Sequence, residues 1–410
     1  MTYWPKTQIL SANTGSVDAF ARWRVSQPIT LFDSLNQYEK GSLWWSESTA
    51  GAGAINFTAA EASVDLAVTG AGDSAIRQTY EYFRYEPGKS QLIVMTGTFG
   101  AATANVTKRI GYFDTANGIF FEQTGAGMAV VVRSSTSGAP SDALRYPKNS
   151  WNVDKLDGTG PSGITLNPSN SNIFWFDIEW LGVGRVRFGI WGPDGFPILC
   201  HEEQNANFRP TVYMTTAALP MRYEIASTGG AASMQQICST VQSEGGNLIT
   251  SRPRYFGVGY TSQTGVTTRR AVISVRPKLT FKGLTNRIKV VPANFDMIIN
   301  TNDCLWELVY KPTFTGTPVW QDANLSESSV EYSVHSGPGT GTITGGIVVA
   351  TGFAGSAQGA LAREVGALID FKYPITLDLN GANPIAFSLV CTSLNNTSNI
   401  RATMNWAENH

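Results

Sequence analysis

The sequence predicts an all-β protein with two antiparallel, jelly-roll-like β-sandwich domains and an extended N-terminal arm. Short runs of β-branched and aromatic residues recur along the chain, separated by Gly, Asn, Asp and Ser. Helical periodicity is nearly absent, and its best candidate, residues 233–241, is short. The chain has 410 residues, more than one core usually supports, so two domains plus an arm are expected.

The first 45 residues are predicted to form the arm. They carry large aromatic residues, separated by polar ones, without a strand or helix period. Such a segment has no face of its own to bury, so we expect it to lie on another surface as an assembly element. Its anchors would be Tyr3, Trp4, Phe20, Trp23 and Phe32.

Residues 46–280 are predicted to form the first sandwich. Residues 75–85 alternate, Pro87-Gly88 marks a turn, and residues 91–99 form the next strand, which together indicate a hairpin-like unit. The long irregular stretch 152–163 is expected to be functional or to pack on a neighbour. Further strands are predicted at 109–113, 118–123, 128–133, 173–180, 185–191 and 221–225, and 271–276 would close the sandwich.

Residues 281–410 are predicted to form the second sandwich. The glycine-dense segment 336–341 reads as a turn, because a phosphate-binding loop would need a following Lys-Ser or Lys-Thr and a helix. The predicted strands are 287–291, 296–300, 304–310, 328–335, 342–351, 369–371, 375–378, 385–392 and 400–406.

The charge content argues against several partners. Charged residues make up 15% of the chain, against about 25% in an average soluble domain, which suits a protein that assembles or meets polysaccharide. Thirty basic and 31 acidic residues leave a net charge of −1, so nucleic acid is not an expected partner. No run approaches the roughly 18 apolar residues of a membrane span, and the N-terminus lacks the pattern of a secretory signal. We therefore expect synthesis in a host cytoplasm and no membrane partner.

The cysteines indicate neither a metal site nor a disulfide framework. Cys200, Cys238, Cys304 and Cys391 lie far apart in the sequence, with no Cys-x-x-Cys pair. Buried free thiols are the expectation. No metal and no cofactor is predicted.

One octamer, residues 175–182, has the pattern of a chemical site. Alternation along a strand places Trp175, Asp177 and Glu179 on one face and Phe176, Ile178 and Trp180 on the other. Two carboxylates on one face are a plausible acid/base pair.

This strand resembles the active-site strand of the laminarinase-like glycoside hydrolases. Their pattern is Glu, aliphatic, Asp, aliphatic, Glu, then aromatic, Leu and Gly, with the first Glu as nucleophile and the last as acid/base. Asp177 and Glu179 match the second and third acidic positions, whereas Trp175 occupies the nucleophile position. Tryptophan cannot form a glycosyl ester, so the resemblance implies an inactive site, and no enzymatic activity is predicted.

Two alternatives remain for this region. The aromatic rings of Trp175, Trp180 and Trp191, with Asp177 and Glu179, could contact a glycan. Alternatively, the two carboxylates could pair with Arg185 or Arg187 across the turn at 182–184, with the tryptophans in the core.

Several stretches together resemble virion structural proteins of tailed bacteriophages. They extend over roughly residues 15–320 and comprise 17–28, 30–34, 76–79, 85–91, 152–163, 181–187, 219–225 and 274–278. The resemblance implies a virion structural protein, in a tail or neck appendage or decorating the capsid surface. We expect a symmetric homo-oligomer, with a trimer as the favoured state, that binds other virion proteins. A glycan-binding adhesin for a host surface glycan is the alternative.

Overall fold

The computed structural model describes residues 27–245, 253–335, 341–356, 361–365 and 372–409, without the side chains of 261–264. The predicted arm anchors Tyr3, Trp4, Phe20 and Trp23, and the predicted strand 369–371, lie outside these residues. The chain divides into two compact units, residues 1–248 and 249–410. Both units consist of antiparallel sheets, which confirms the predicted all-β class.

The first unit contains an eight-stranded and a seven-stranded sheet. The eight-stranded sheet has the spatial order β13 (Pro197–Glu203), β12 (Val186–Trp191), β11 (Asn172–Ile178), β6 (Gln91–Thr98), β15 (Ala232–Ser243), β4 (Ser63–Val68) and β3 (Ala54–Thr58), and β1 (Ile29–Leu35) also pairs with β15. The seven-stranded sheet has the order β10 (Ser141–Pro147), β9 (Gly127–Ser134), β8 (Gly118–Thr124), β7 (Val106–Phe113), β14 (Met221–Ser227), β5 (Ser74–Thr79) and β2 (Trp45–Ala50). A short 3-10 turn, Lys148–Ser150, follows β10.

A single hydrophobic core lies between these two sheets. Alternate residues of each strand point into it, which is the pattern of a sandwich. Phe121 of β8 contacts Phe174 and Phe176 of β11, with ring centroids 5.0 and 5.4 Å apart. Side chains of the two sheets therefore interdigitate, as they must to exclude water.

The second unit contains a four-stranded sheet, a six-stranded sheet and two two-stranded ribbons. The four-stranded sheet has the order β16 (Arg254–Val266), β29 (Ser398–Asn409), β20 (Lys289–Asn300) and β27 (Leu361–Glu364). The six-stranded sheet has the order β23 (Gln321–Asp322), β24 (Val330–Ser333), β17 (Arg270–Pro277), β28 (Phe387–Ser393), β21 (Cys304–Tyr310) and β26 (Ile347–Ala354). The ribbons pair β18 (Thr280–Phe281) with β19 (Leu284–Thr285), and β22 (Thr313–Phe314) with β25 (Ile343–Thr344).

The division between the units differs from the predicted boundary at 280/281. The strand predicted at 271–276 to close the first sandwich is β17, which pairs with β24 and β28 of the second unit. Its hydrogen-bonding partners come later in the chain, so β17 belongs with them. The structure therefore places the division at 248/249.

Two local predictions are also wrong. Residues 233–241, the helix candidate, lie in β15, because that strand is held between β6 and β4 by its backbone hydrogen bonds. The strands on either side of Pro87-Gly88 do not form a hairpin. β5 pairs with β2 and β14, whereas β6 pairs with β11 and β15, so the turn carries the chain from one sheet to the other.

Phe32 is not an arm residue in this structure. It lies in β1, whose backbone pairs with β15, and its ring packs against Trp45 and Phe83 at centroid distances of 6.1 and 5.4 Å. Residues 29–35 are thus part of the first sandwich. The prediction of an arm extending to residue 45 is corrected accordingly.

The loop 152–163 packs on its own sandwich. Asp154 is buried, and its carboxylate accepts hydrogen bonds from the backbone N–H groups of Leu156 and Ser162, both at 2.8 Å. Leu156 is fully buried in the core. The carboxylate therefore organises the loop, and Leu156 anchors it in the core.

The four cysteines are free, and three of them are buried. Cys238 is half-buried. The prediction of buried free thiols is thus confirmed for Cys200, Cys304 and Cys391.

Candidate functional site

The acidic strand predicted from the sequence is β11, beside β12 and β6. Phe174, Phe176 and Ile178 point into the core between the sheets. Trp175 and Asp177 therefore point to the opposite face of the same sheet. The predicted alternation is confirmed for residues 174–178, whereas Glu179 and Trp180 follow the end of β11.

Asp177 forms an ion pair with Arg187, which stands directly opposite it in the register of β11 and β12. The hydroxyl of Ser90 also donates a hydrogen bond to the Asp177 carboxylate. Both members of the ion pair are buried. A buried carboxylate requires such compensation, because leaving it without a cation would be strongly unfavourable.

Trp175 completes this cluster. Its indole N–H donates a hydrogen bond to the carbonyl of Ile190 at 3.0 Å. Its ring meets Trp191 edge to face at 6.4 Å between centroids, and the Arg187 guanidinium lies 5.9 Å from its centroid. The arrangement is a packed hydrogen-bonding cluster in the sheet.

These observations bear on the five predicted glycan-contact residues. Trp175 is 4% exposed, and Asp177 and Glu179 are 0% exposed, so these three side chains offer no surface to a glycan in this structure. Trp180 and Trp191 are half-buried. The alternative prediction of an ion pair is confirmed for Asp177 and Arg187, whereas Arg185 pairs with Glu202 at 3.1 Å.

Glu179 also lies in a buried environment. Burial raises the pKa of the nearby Tyr85 hydroxyl, and the Glu179 carboxylate adds to that rise. Tyr85 in turn meets Trp180 edge to face, with ring centroids 6.1 Å apart. The end of this strand is therefore packed against the segment that precedes β6.

A second cluster, which the sequence analysis missed, covers the outer face of the seven-stranded sheet. We call it the arginine–phenylalanine layer and define it by Arg109, Arg133, Arg222, Phe113 and Phe120. The two phenylalanine rings are fully buried, and their centroids lie 4.5 Å apart. The three guanidinium groups stand over them at 5.1 to 5.7 Å from the ring centroids. Cation–π attraction is favourable in this geometry.

Carboxylates link the arginines of the layer. Arg109 donates to Glu122 at 2.9 Å and to Glu224 at 2.5 Å. Arg133 holds Asp142 through two parallel hydrogen bonds of 2.7 and 2.8 Å.

Arg222 donates to Glu224 at 2.8 Å and to Gln78 at 3.1 Å. Burial alone would raise the pKa of Glu224, but Arg222 and Arg109 lower it by more, so the net pKa is below its usual value. Glu224 is therefore a carboxylate at neutral pH.

A shallow groove of about 320 Å³ opens on this layer. Its lining combines hydroxyl, guanidinium and carboxylate groups: Thr115, Arg133, Pro140, Asp142, Arg222 and Glu224. Asp142 is more accessible than Arg133, its ion-pair partner, with 28% of its side chain exposed. The groove offers polar groups in fixed positions.

The residues of this layer lie on four neighbouring strands of the sheet, β9, β8, β7 and β14, of which β14 comes from a distant part of the sequence. Two glycines leave space for the two phenylalanines. Gly111 lies opposite Phe120 and Gly118 lies opposite Phe113, and a Cβ at either glycine would come within 2.5 Å of the facing Cβ. The signal that could have revealed the layer is this repeated combination of Arg, Gly and Phe at alternate positions.

The second unit contains a serine–histidine pair. His335 Nε2 and Ser274 Oγ lie 2.7 Å apart, and Ser274 Oγ is 2.5 Å from Ser388 Oγ. All three residues are at most 2% exposed, and His335 Nδ1 faces the Ser333 hydroxyl rather than a carboxylate. Burial, with a smaller contribution from Arg270, lowers the pKa of His335 to about 4. The histidine is therefore neutral and serves a buried hydrogen-bonding network.

Two further observations concern the part of the chain that the structure describes. No group of three His, Cys, Asp or Glu side chains there is placed to hold a metal ion together. No helix there has the length and apolar character required to span a membrane.

No model of a known protein family matches the sequence, and no curated protein matches it. Solved structures do match. A carbohydrate esterase of the Shiga toxin-encoding bacteriophage phi24B is 11% identical, with a TM-score of 0.34, and the match covers 53% of this chain and 100% of that chain. A lectin from Bauhinia forficata in complex with GalNAc is 8% identical, with a TM-score of 0.32, over 54% of this chain and 100% of that chain.

An endo-β-1,4-glucuronan lyase from the fungus Trichoderma reesei is 9% identical, with a TM-score of 0.36, over 52% of this chain and 95% of that chain. The neighbours thus include enzymes and a lectin. At these TM-scores the alignments assign no residue of this chain to a site. The fold assignment rests on the strand pairing described above.

Proposed function

We propose that this chain is a non-catalytic structural protein of a tailed-phage particle, as a tail or neck appendage or on the capsid surface. In this role it assembles with copies of itself and with other particle proteins. The non-catalytic part of this proposal rests on the burial of the side chains of β11. Trp175 stands at the nucleophile position, and Asp177 is buried against Arg187 and Ser90.

The positions of the phage-like stretches support the structural part. Residues 76–79 lie in β5, 219–225 mostly in β14, and 274–278 mostly in β17. The stretch 152–163 is the loop organised by Asp154. These segments build sheets and a loop anchored in the core, so the resemblance concerns the scaffold rather than an active site.

The experiment that tests this proposal is to band particles of the encoding phage in a density gradient. The fractions are then probed with an antibody raised against the purified chain. We expect the chain to co-migrate with intact particles and to resist a high-salt wash. A chain found solely in the soluble lysate would contradict the proposal.

A second candidate function is glycan binding at the groove on the arginine–phenylalanine layer. The specific observation in its favour is the lining of that groove, since carboxylates and guanidinium groups are the partners that sugar hydroxyls use for hydrogen bonding. Its volume of about 320 Å³ is within the range of small-ligand sites.

This second candidate is tested on a glycan array with the purified chain. Asp142→Asn should abolish any retained signal, because it removes the most accessible carboxylate of the lining. Asp194→Asn, at an exposed position of a different turn, is the matched control and should leave the signal unchanged. An array on which the wild type retains no glycan would exclude this candidate.

A further inference from the structure

Strand β26 forms an open edge of the six-stranded sheet. Among the described residues it hydrogen-bonds to β21 alone, and on either side of a bulge at Val349 every second backbone N–H and C=O points away from the sheet. Its sequence, Ile-Val-Val-Ala-Thr-Gly-Phe-Ala, contains no charged residue and no proline. Edge strands of this kind are templates for pairing with another strand.

The other sheet edges of the described structure are protected. Charged residues or prolines occur on the edge strands β1, β2, β10, β13 and β27: Asp33, Glu47, Asp142, Arg145, Pro147, Pro197, Glu202, Glu203, Arg363 and Glu364. β23 has two residues and β3 has five, while β16 begins with Arg254 and contains three glycines. β26 is therefore the longest of these edge strands that has no charged residue, no proline and no more than one glycine.

Two apolar side chains of β26 are exposed on one face. Phe353 is 72% exposed and Val348 is 43% exposed. They stand opposite Leu305 and Val309 of β21, which are four residues apart and therefore lie on the same face of the sheet. A register shift between Leu308 and Val309 brings Val348 to this face.

We propose that β26 pairs antiparallel with β26 of a second copy of this chain, about a twofold axis. An uncharged edge meets its own copy without like-charge repulsion. The nearest charged side chain of β21, Glu307, is already paired with Arg269 at 2.7 Å. In an antiparallel pair of identical strands each copy donates and accepts the same set of backbone hydrogen bonds, so the contact closes on itself. Phe353 and Val348 of both copies then lose exposed apolar surface.

This inference deepens the proposed structural role by naming one surface through which copies associate. It does not depend on the location of the chain in a particle, because its test uses the purified chain alone. The failure of either proposal would therefore be distinguishable from the failure of the other.

The test is sedimentation velocity of the full chain over a wide range of concentrations. We expect the wild type to form a dimer, with twofold symmetry in place of the threefold symmetry expected from the sequence. The double variant Val348→Lys/Phe353→Lys should associate at least tenfold more weakly, because it places four like charges at the contact. Leu284→Lys, at a position 74% exposed on β19, is the matched control and should associate like the wild type.

A second measurement separates a lost contact from a lost fold. Circular dichroism should show the same β content in all three proteins. With the twofold axis at Thr351, near the middle of β26, the two copies of this position face each other. Thr351→Cys should then form a disulfide-linked dimer on mild oxidation, whereas Leu284→Cys should not. A wild type that is monomeric at every concentration would overturn the inference, as would a double variant that associates like the wild type or a Thr351→Cys chain that does not cross-link.

Discussion

Trp175 of β11 lies over Gly189 of β12 so closely that a Cβ at position 189 would come within 2.1 Å of the indole ring. The two residues stand opposite each other in the register of the two strands. The absence of a side chain at position 189 thus lets the indole lie flat across the neighbouring strand, where its N–H reaches Ile190. The tryptophan at the nucleophile position is held as a structural element.

Gly189→Ala should destabilise the first unit. The added methyl group cannot be accommodated without moving Trp175 or the backbone, and overpacking of this kind costs roughly 1–3 kcal/mol. Hydrogen-exchange mass spectrometry of peptides from β11 and β12 in increasing urea measures the loss. Gly70→Ala is the control, since nothing lies within 4 Å of a Cβ there, and it should change stability little. Equal protection in both variants would contradict the packing described.

Arg187→Met should be more harmful than the double variant Asp177→Asn/Arg187→Met. The single change leaves the Asp177 carboxylate buried without its main cation, which typically costs about 3–5 kcal/mol. The double change removes the charge as well, so part of the loss should be recovered. Urea unfolding of the four proteins of this double-mutant cycle gives the coupling energy. Additive losses would mean that the pair does not interact as the structure shows.

The stability of the second unit should fall as the pH drops from about 6.5 to about 4. Burial and the charge of Arg270 lower the pKa of His335 to about 4 in the folded chain. The unfolded chain therefore binds a proton in this window that the folded chain does not, and the stabilisation is complete above the unfolded pKa. A shift of this size corresponds to about 3 kcal/mol between the two ends of the window.

His335→Gln should flatten this limb of the pH profile. The chain contains three histidines, so their ring proton signals can be followed individually by NMR. One of them should titrate near pH 4 and disappear in His335→Gln. A signal of His335 that titrates at its ordinary value near 6.5 would show that the ring is not buried as described.

The purified chain should release no reducing ends from β-glucans or host capsular polysaccharide. Retaining hydrolysis needs two carboxyl groups about 5 Å apart at the scissile bond, and Trp175 stands where the laminarinase-like pattern has one of them. A reducing-end assay over many hours measures this, with Glu179→Gln as the matched variant. Turnover by the wild type that is lost in Glu179→Gln would show that the chain is an enzyme.

Much of the strand content could be predicted from alternation alone. β7, β8, β9, β21 and β28 lie where short β-branched and aromatic runs predict them. Alternation also separated the core-facing residues of β11 from Trp175 and Asp177. These features depend on neighbouring residues in the chain, so a single sequence contains them.

The partners of strands could not be predicted in the same way. Pro87-Gly88 indicates a reversal of the chain, but β5 and β6 lie in different sheets because each finds its partners far away in the sequence. The arginine–phenylalanine layer was missed for the same reason. Arg222 joins Arg109 and Phe113 through the pairing of β7 with β14, a strand far away in the sequence, and no local pattern specifies that pairing.

The proposed role as a structural part of a particle is tested by the number of copies of this chain in each particle. Purified particles of the encoding phage are dissociated, and the chain is counted by quantitative mass spectrometry against the major capsid protein. We expect a fixed whole number of copies per particle that is unchanged between preparations. A variable count well below one copy per particle would show that the chain is not a structural part.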